Sequence, residues 1–387
     1  MGIQINGTND NISASDGSLT IDGASFSTLQ VNGQNLPTAG PLSNRNKIIN
    51  GDMRIDQRNA GSAVTINASA ATYSVDRWSG FGMASAGVFT LNRSTTAPAG
   101  FTNSLAATCT TADGTIAAGD RYFIDHRIEG FNIADFDFGT ASANTVTLSF
   151  WVQSSLTGTY CIGFINDGGA RSYVAEYTIN AADTWEYKTI TLTGDTSGTW
   201  LSDNGIGVTI RFTLATGTTY QTTANAWSAG NFNATSNQVN WMSSSSSRTF
   251  RITGVQLEVG TVATPFEHRS YGDELARCQR YYWQTQNITG SRKYLGMVQA
   301  YASTATYGIL TYVPVEMRSD ATVNISGSFG YYNATSATNS TSSPGSLDFS
   351  PGRIETASWA GGSGLTAGHG LISFWEDDAV IYASAEL

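Results

Sequence analysis

The chain has 387 residues, 40% of them hydrophobic and 11% aromatic, enough to bury more than one core. Only 13% are charged and the net charge is −10, which argues against nucleic acid as a direct ligand: no basic patch is available to displace phosphate counterions. Forty-one glycines against seven prolines, with few apolar runs at helical spacing, indicate an all-β chain with many turns and a surface drawn mostly from Ser, Thr, Asn and Gly.

Residues 1–43 read as a small attachment segment ending in a linker. IQING, LTIDG and LQVNG each close on an Asn-Gly or Asp-Gly pair, the strongest short-range hairpin signal. With so few apolar side chains the segment cannot hold a core alone, so it is expected to pack on other copies, on another protein, or along the next domain. The start of the chain has neither a basic stretch nor an apolar core of the kind a signal peptide needs. No apolar run approaches the roughly 20 residues of a membrane helix, so no membrane insertion is expected. Cys109, Cys161 and Cys278 are odd in number and widely spaced, which points away from a disulfide framework and toward assembly in a reducing cytosol.

Residues 44–270 read as one sandwich or jelly roll. Val146, Leu148, Phe150 and Val152 alternate with Thr147, Ser149, Trp151 and Gln153. Val208, Ile210, Phe212 and Leu214 alternate with Thr209, Arg211 and Thr213, and Tyr122, Ile124, His126 and Ile128 form a third such face. Strands at this spacing, with Gly, Asn, Asp and Ser between them, suit a sandwich. Phe250 and Ile252 share one parity and Val255, Leu257 and Val259 the other, so Gly254 marks a β-bulge. Trp78 is expected in the core, with Asp76 and Arg77 beside it forming an ion pair.

Residues 271–283 read as a helical connector. Ser270 and Asp273 have capping-box spacing, and Tyr271, Leu275, Cys278 and Tyr282 share a helical face. Residues 284–387 read as a smaller, distal β-sandwich. KYLGMVQAYAS and YGILTYVPVEMRSD are strands, residues 333–345 a polar loop, and LISFWEDDAVIYASAEL a closing strand pair. The expected fold is therefore all-β: a short N-terminal β segment, a jelly roll, one short helix and a C-terminal β-sandwich.

Sugar rings present apolar CH faces, so a glycan site needs an exposed aromatic platform with polar groups at its rim. Trp151 has the parity of an outward residue, Gln153 faces the same way, and Arg211 has the corresponding parity on its own strand. The competing reading is that this polar face is covered by another element or subunit, with Trp151 buried there. Trp359 and Trp375 are the distal candidates. His126 reads as a hydrogen-bonded sheet histidine. No HxxxH or CxxC pair suggests zinc, and no metal site is assigned. Asp135 with Asp137, or Glu376-Asp377-Asp378, would allow a structural calcium; no other cofactor is expected. No GxSxG elbow, phosphate loop or solenoid period points to catalysis, so no enzyme is expected.

Asn50-Gly-Asp-Met-Arg-Ile-Asp-Gln-Arg58, followed by Asp76-Arg77-Trp78, resembles the opening of a domain common in tailed-phage fibre and virion-decoration proteins. Gln256-Leu-Glu-Val-Gly260, Pro265-Phe266-Glu267 and Glu274 to Tyr282 resemble its end, and residues 146–160 resemble the core strand of carbohydrate-binding jelly rolls. The resemblance covers roughly residues 44–283. It implies a structural virion protein with a glycan-binding-like fold, and a homotrimer. The first reading is therefore a fibre made in the host cytoplasm and displayed on the virion surface, held to other virion proteins through the attachment segment 1–43 and binding host cell-surface polysaccharide. A capsid or tail decoration protein without glycan binding, and a polysaccharide depolymerase, are the alternatives it leaves.

Overall fold

The structure is a computed structural model that describes residues 30–31, 34–35, 43–67, 70–83, 87–244, 248–285, 293–303, 305–327, 329–333, 338–341, 344–350, 352–359, 365–375 and 379–387. The chain divides into two compact units, residues 1–39 and 40–387. In the first, β1 (Gln30–Val31) pairs antiparallel with β2 (Gln34–Asn35), Val31 standing opposite Gln34. The IQING and LTIDG segments lie outside the described residues.

The second unit is a jelly-roll β-sandwich followed by a smaller β-sandwich, with one α-helix between them among the described residues. The larger sandwich uses β3 (Val64–Ile66), β4 (Thr72–Tyr73), β5 (Trp78–Met83), β6 (Val88–Ser94), β7 (Ser104–Thr111), β8 (Arg121–Glu129), β9 (Val146–Ser154), β10 (Gly158–Ile165), β11 (Arg171–Ile179), β12 (Glu186–Leu192), β13 (Ile206–Thr216), β14 (Trp227–Ala229) and β15 (Thr249–Val259). One sheet runs β14-β11-β10-β13-β8-β5-β4 and the other β12-β9-β15-β7-β6-β3, with antiparallel pairing between the neighbours.

The alternation read from the sequence is what closes the two sheets on each other. Val146, Leu148, Phe150 and Val152 of β9 and Val208, Ile210, Phe212 and Leu214 of β13 are all buried in one core. Phe150 meets Phe212 edge-on at 5.2 Å between ring centroids. The bulge is real. Gly254 has φ +60°, and the pairing with β9 jumps from Thr253↔Trp151 to Gln256↔Ser149. The extra residue turns Phe250, Ile252, Val255 and Leu257 all inward, and a Cβ on Gly254 would stand 2.6 Å from the Phe101 ring. Trp78 is fully buried against His126, at 4.8 Å between centroids. His126 is buried, and its Nε2 accepts from the Ile49 N–H at 3.5 Å. Burial, helped by the nearby Arg77 charge, holds its pKa well below the usual histidine value, so it is neutral.

The helix α1 spans Tyr271–Gln279, and the Ser270 hydroxyl accepts from the Asp273 N–H at 3.2 Å. Its buried face differs from the apolar stripe in the sequence: Tyr271 is 57% exposed, while Glu274 and Cys278 are buried. Glu274 is inside because it accepts from the Asn50 N–H and pairs with Arg269 at 3.2 Å. The chain then enters β16 (Tyr282–Gln284), so the connector ends as a strand.

The smaller sandwich adds β17 (Lys293–Ala302), β18 (Ala305–Tyr312), β19 (Thr322–Ser326), β20 (Phe329–Asn333), β21 (Thr338–Thr341), β22 (Pro344–Ser350), β23 (Arg353–Trp359), β24 (Gly370–Trp375) and β25 (Val380–Ser384). Its sheets run β16-β25-β19 and β21-β20-β24-β17-β18-β23-β22. Two expectations are corrected here. The polar stretch 333–345 contains β21 and the start of β22, because Thr and Ser suit an edge strand as well as a loop. The two closing strands β24 and β25 do not pair with each other: they lie in different sheets, and alternation fixes a strand's faces without fixing its partner.

A buried polar knot joins the opening arch, the larger sandwich, the helix and the chain's last residues. Asn50, with φ +59°, donates from Nδ2 to the Ile55 and Asp76 carbonyls at 2.8 and 2.9 Å and accepts from the Ile55 N–H at 3.0 Å. The Trp78 indole donates to the Asn50 carbonyl at 3.0 Å. A Cβ on Gly51 would stand 2.2 Å from the Val255 carbonyl oxygen, so the arch and the bulge meet backbone to backbone. The expected Asp76–Arg77 pair is not formed. The two residues form a turn, with Arg77 at φ +72°, and their side chains take different partners: Arg77 reaches Glu386 while Asp76 accepts from Gln57 at 3.1 Å through the backbone N–H and 2.5 Å through Nε2.

Two outcomes follow. Glu386→Gln leaves Arg77, 1% exposed at its side chain, without its carboxylate, and should cost about 3–5 kcal/mol of stability in urea unfolding; a cost near zero would mean that the ion pair is dispensable. Burial raises the Asp76 carboxyl to about 6, against the pull of Arg58. Its contribution to stability is therefore full below about pH 3.8 and is lost as the pH rises through about 6. Asp76→Asn should gain melting temperature relative to the parent chain as the pH rises from about 3.8 to about 6, and keep that gain above it. A pH-independent difference would contradict this.

Candidate functional site

A sandwich has two outer faces, and outward parity does not say which one a residue occupies. The candidates separate accordingly. Trp151 and Gln153 lie on β9 in the six-stranded sheet, whereas Arg211 lies on β13 in the seven-stranded sheet. The structure does not bring them together.

On the six-stranded sheet, β9 and β12 place Trp151 directly opposite Tyr187. Their rings lie 5.4 Å apart and tilted by 50°; Trp151 is half-buried and Tyr187 is 45% exposed. This pair is an aromatic surface open to solvent on one side. Gln153 is not a free rim group. It is buried, donates to the Asp183 carbonyl at 2.8 Å and accepts from Arg251 at 2.9 Å. Arg251 and Thr253 continue the same face beside Trp151. Tyr187 was missed in the sequence because Glu186, Tyr187 and Lys188 carry no apolar alternation of their own.

On the seven-stranded sheet, the outward residues of β5 and β8 put Phe81 opposite Phe123. The two rings are parallel within 2° at 4.8 Å. Two guanidinium groups cover this floor. Arg121 lies 4.8 Å from the Phe81 centroid and 4.4 Å from Tyr220, and Arg211 lies 4.6 Å from Phe123. Arg127, on the same face of β8, is 3.6 Å from Asp125 and donates to the Leu387 carbonyl. Arg211 donates from Nη1 to the side-chain oxygens of Asn231 and Asn233 at 2.8 and 3.0 Å, and its Nε is 3.9 Å from Asp125. Burial, together with the Arg121 and Arg127 charges and against the attraction of Asp125, lowers the Arg211 pKa to about 10.

The other tryptophans divide clearly. Trp241 is fully buried. Trp200 and Trp227 pack at 5.3 Å with Phe138 and Tyr173 at the end of the sandwich, their indole N–H groups donating to the Ser197 and Thr193 carbonyls. They extend the core beside a cavity of about 250 Å³ lined by Phe138 and Trp200. Trp359 and Trp375 end β23 and β24, and their side chains lie outside the described residues. Asp135 is taken by Lys47 at 2.7 Å and Asp137 accepts from Asn144 at 3.3 Å; residues 376–378 lie outside the described residues. Among the described residues no three His, Cys, Asp or Glu side chains converge, and no helix is long and apolar enough to cross a membrane. All three cysteines are buried and free.

No protein-family model and no curated protein matches the chain. Among solved structures it is similar to the C-terminal family 22 carbohydrate-binding module of Clostridium thermocellum Xyn10B, at 15% identity and TM-score 0.28, covering 51% of this chain and 99% of that one. It is similar to a family 11 carbohydrate-binding module from Clostridium thermocellum in complex with a β-1,3-1,4-mixed-linked tetrasaccharide, at 12% identity and TM-score 0.26, covering 54% and 100%. It is also similar to the N-terminal tandem family 22 domain of Paenibacillus barcinonensis Xyn10C, at 11% identity and TM-score 0.25, covering 86% and 98%. No residue role transfers at these identities.

The two arginines nearest the aromatic floor should behave differently on removal. Arg121→Gln should leave the melting temperature within about 2 °C of the parent or raise it, because it removes a charge that opposes Arg211. Arg211→Gln should lower it, because Asn231 and Asn233 lose their shared donor. Equal losses in a thermal scan would mean that Arg121 is a structural cap.

Proposed function

We propose that the chain is a structural fibre protein of a tailed-phage virion that binds host surface glycan, with the Trp151–Tyr187 face as the primary platform. The observation that carries the binding reading is this aromatic pair, half open on a sheet face with the half-buried Arg251 on the neighbouring strand. A pyranose ring can lay its CH face on such a surface, and hydroxyls can reach the polar rim. The virion setting and the homotrimer rest on the sequence resemblance, and attachment through residues 1–43 on the few apolar side chains of that segment. Weak single sites multiplied over three copies would give useful avidity. No catalytic step is part of this reading.

A decoration protein is the second reading, and one observation favours it. Tyr294, Met297 and Tyr312 on β17 and β18 are 66%, 75% and 66% exposed, which suits a protein contact better than a solvated sheet.

Binding of the full-length protein to intact host cells and to their extracted surface polysaccharide is the test. Trp151→Ala and Tyr187→Ala should each weaken saturable binding about tenfold or more, with the melting temperature little changed for Tyr187→Ala. Undiminished binding in both variants would remove the platform, and a folded oligomer that binds no host material would favour the decoration reading. Substitution is a cleaner test than deleting residues 284–387, since that deletion also removes the Glu386 partner of Arg77.

A further inference from the structure

We infer that the outer face of the seven-stranded sheet is a second binding site, in which Arg121 and Arg211 take the carboxylate of an acidic saccharide. This rests on the glycan-binding reading and adds a substrate class to it.

The first ground is charge. Arg121, Arg127 and Arg211 stand over one small patch of β8 and β13, and Asp125 is the acid paired with Arg127 and Arg211 there. Glu129, on the same face of β8, is committed to Arg280 at 2.6 Å and to the Tyr281 hydroxyl at 2.6 Å. In a chain whose net charge is −10, a face with this excess of cations does not follow from composition. Like charges in a half-buried place repel, and the depressed pKa of Arg211 reports that repulsion together with burial.

The second ground is unused donors. Nε and Nη1 of Arg121 and Nε of Arg211 are buried and have no hydrogen-bond partner. Asn233, fully buried, spends its oxygen on Arg211 and leaves Nδ2 unpartnered. Buried donors in folded proteins are nearly always paired, so several orphans in one place point to a missing acceptor. Nε–H of either arginine can donate one charge-assisted hydrogen bond to a carboxylate oxygen, and Nη1 of Arg121 points along a different edge of its guanidinium. A bound carboxylate would pair the orphans and offset the repulsion together.

The third ground is the floor. Phe81 is half-buried on the stacked Phe81–Phe123 pair, and Tyr220 stands on the other side of Arg121. A sugar bearing the carboxylate would have an aromatic surface beside the charge. The bland alternative is an arginine lid that merely covers two phenylalanines. That role needs the aliphatic stems and one charge. Unpaired Nε–H groups also occur on arginines such as Arg58 and Arg77, but the lid leaves Nη1 of Arg121 and Nδ2 of Asn233 without an acceptor.

The test is calorimetric titration of the full-length protein with hexagalacturonate and with the same hexasaccharide after carboxyl reduction. The acidic form should bind at least about tenfold tighter than the neutral one, and Arg121→Gln and Arg211→Gln should each abolish that preference. Arg121→Gln carries the most weight, since its fold is expected to be intact by thermal scan. Trp151→Ala should weaken both hexasaccharides alike and leave the preference for the acidic one in place. Equal affinity for both hexasaccharides, or acidic binding indifferent to both arginines, overturns the inference. No hexagalacturonate binding by a protein that still captures host polysaccharide through Trp151 overturns it alone. Loss of all glycan binding overturns it together with the reading beneath it.

Discussion

The pairing of Arg77 with Glu386 ties the two ends of the second unit together. Both side chains are nearly inaccessible to water, and the carboxylate also takes Arg58 at 2.6 Å. An ion pair this deep contributes little net energy over a well-packed apolar pair, because desolvation offsets most of the attraction. Its effect is on specificity. Arg77 comes just before the buried Trp78 of the larger sandwich, and Glu386 follows the last strand of the smaller one. With the Tyr73 hydroxyl and Arg127 both donating to the Leu387 carbonyl, the final residues are threaded into the jelly roll. The smaller sandwich is thereby joined to the larger by buried polar contacts as well as by the connector. Arg318, bonded to the Asn204, Ala385 and Glu386 carbonyls, secures the same joint from the side.

This joint explains what the quoted motifs are for. Asn50, Gly51, Asp76 and Arg77 at the opening and Gln256, Glu258, Glu267 and Glu274 near the end meet at one end of the sandwich. Gln256 accepts from the Glu267 N–H at 2.8 Å, Glu267 in turn accepts from the Asn46 N–H at 3.0 Å, and Glu258 accepts from Thr264. Gln256 and Glu258 have the outward parity of β15 but are buried beneath Thr264 and Pro265, away from the open Trp151–Tyr187 surface. The resemblance in sequence is therefore a resemblance in how the domain is closed. Closure tolerates little change, since each group is buried and has a fixed partner, whereas an outer face can vary without loss of fold. Motifs of this kind predict architecture better than they predict a ligand.

The parts of the fold that were legible in the sequence are those governed by local rules. Alternation gave β8, β9 and β13 and the faces of their side chains. The parity change at Gly254 gave the bulge, and the spacing of Ser270 and Asp273 gave the helix start. What escaped depends on partners far away in sequence. Strands β24 and β25 look like a hairpin in the sequence but belong to different sheets. Asp76 and Arg77 are adjacent yet face different partners. Glu274 on the buried face of α1 breaks the apolar stripe because its partner is a backbone N–H more than two hundred residues away. The candidate sites show the same division. Parity placed Trp151 and Arg211 outside the core, and it could not assign them to opposite sheets.

That separation changes what the molecule can recognise. A single face carrying Trp151, Gln153 and Arg211 would be one site with one specificity. Two faces on opposite sides of one sandwich, one with an open Trp–Tyr pair and the other with arginines over stacked phenylalanines, have different physical preferences. Stacking on Trp151 and Tyr187 is insensitive to salt and favours any ring with an exposed CH face. The proposed pairing with Arg121 and Arg211 would favour charge and weaken as ionic strength rises, less steeply than an exposed pair because the donors are buried. A polymer that alternates neutral and acidic sugars would satisfy both faces only by passing around the edge of the sandwich or by bridging copies. In an oligomer the second route needs no bending of the glycan, so two faces of unlike chemistry would make cross-linked capture on a charged cell surface stronger than either face alone.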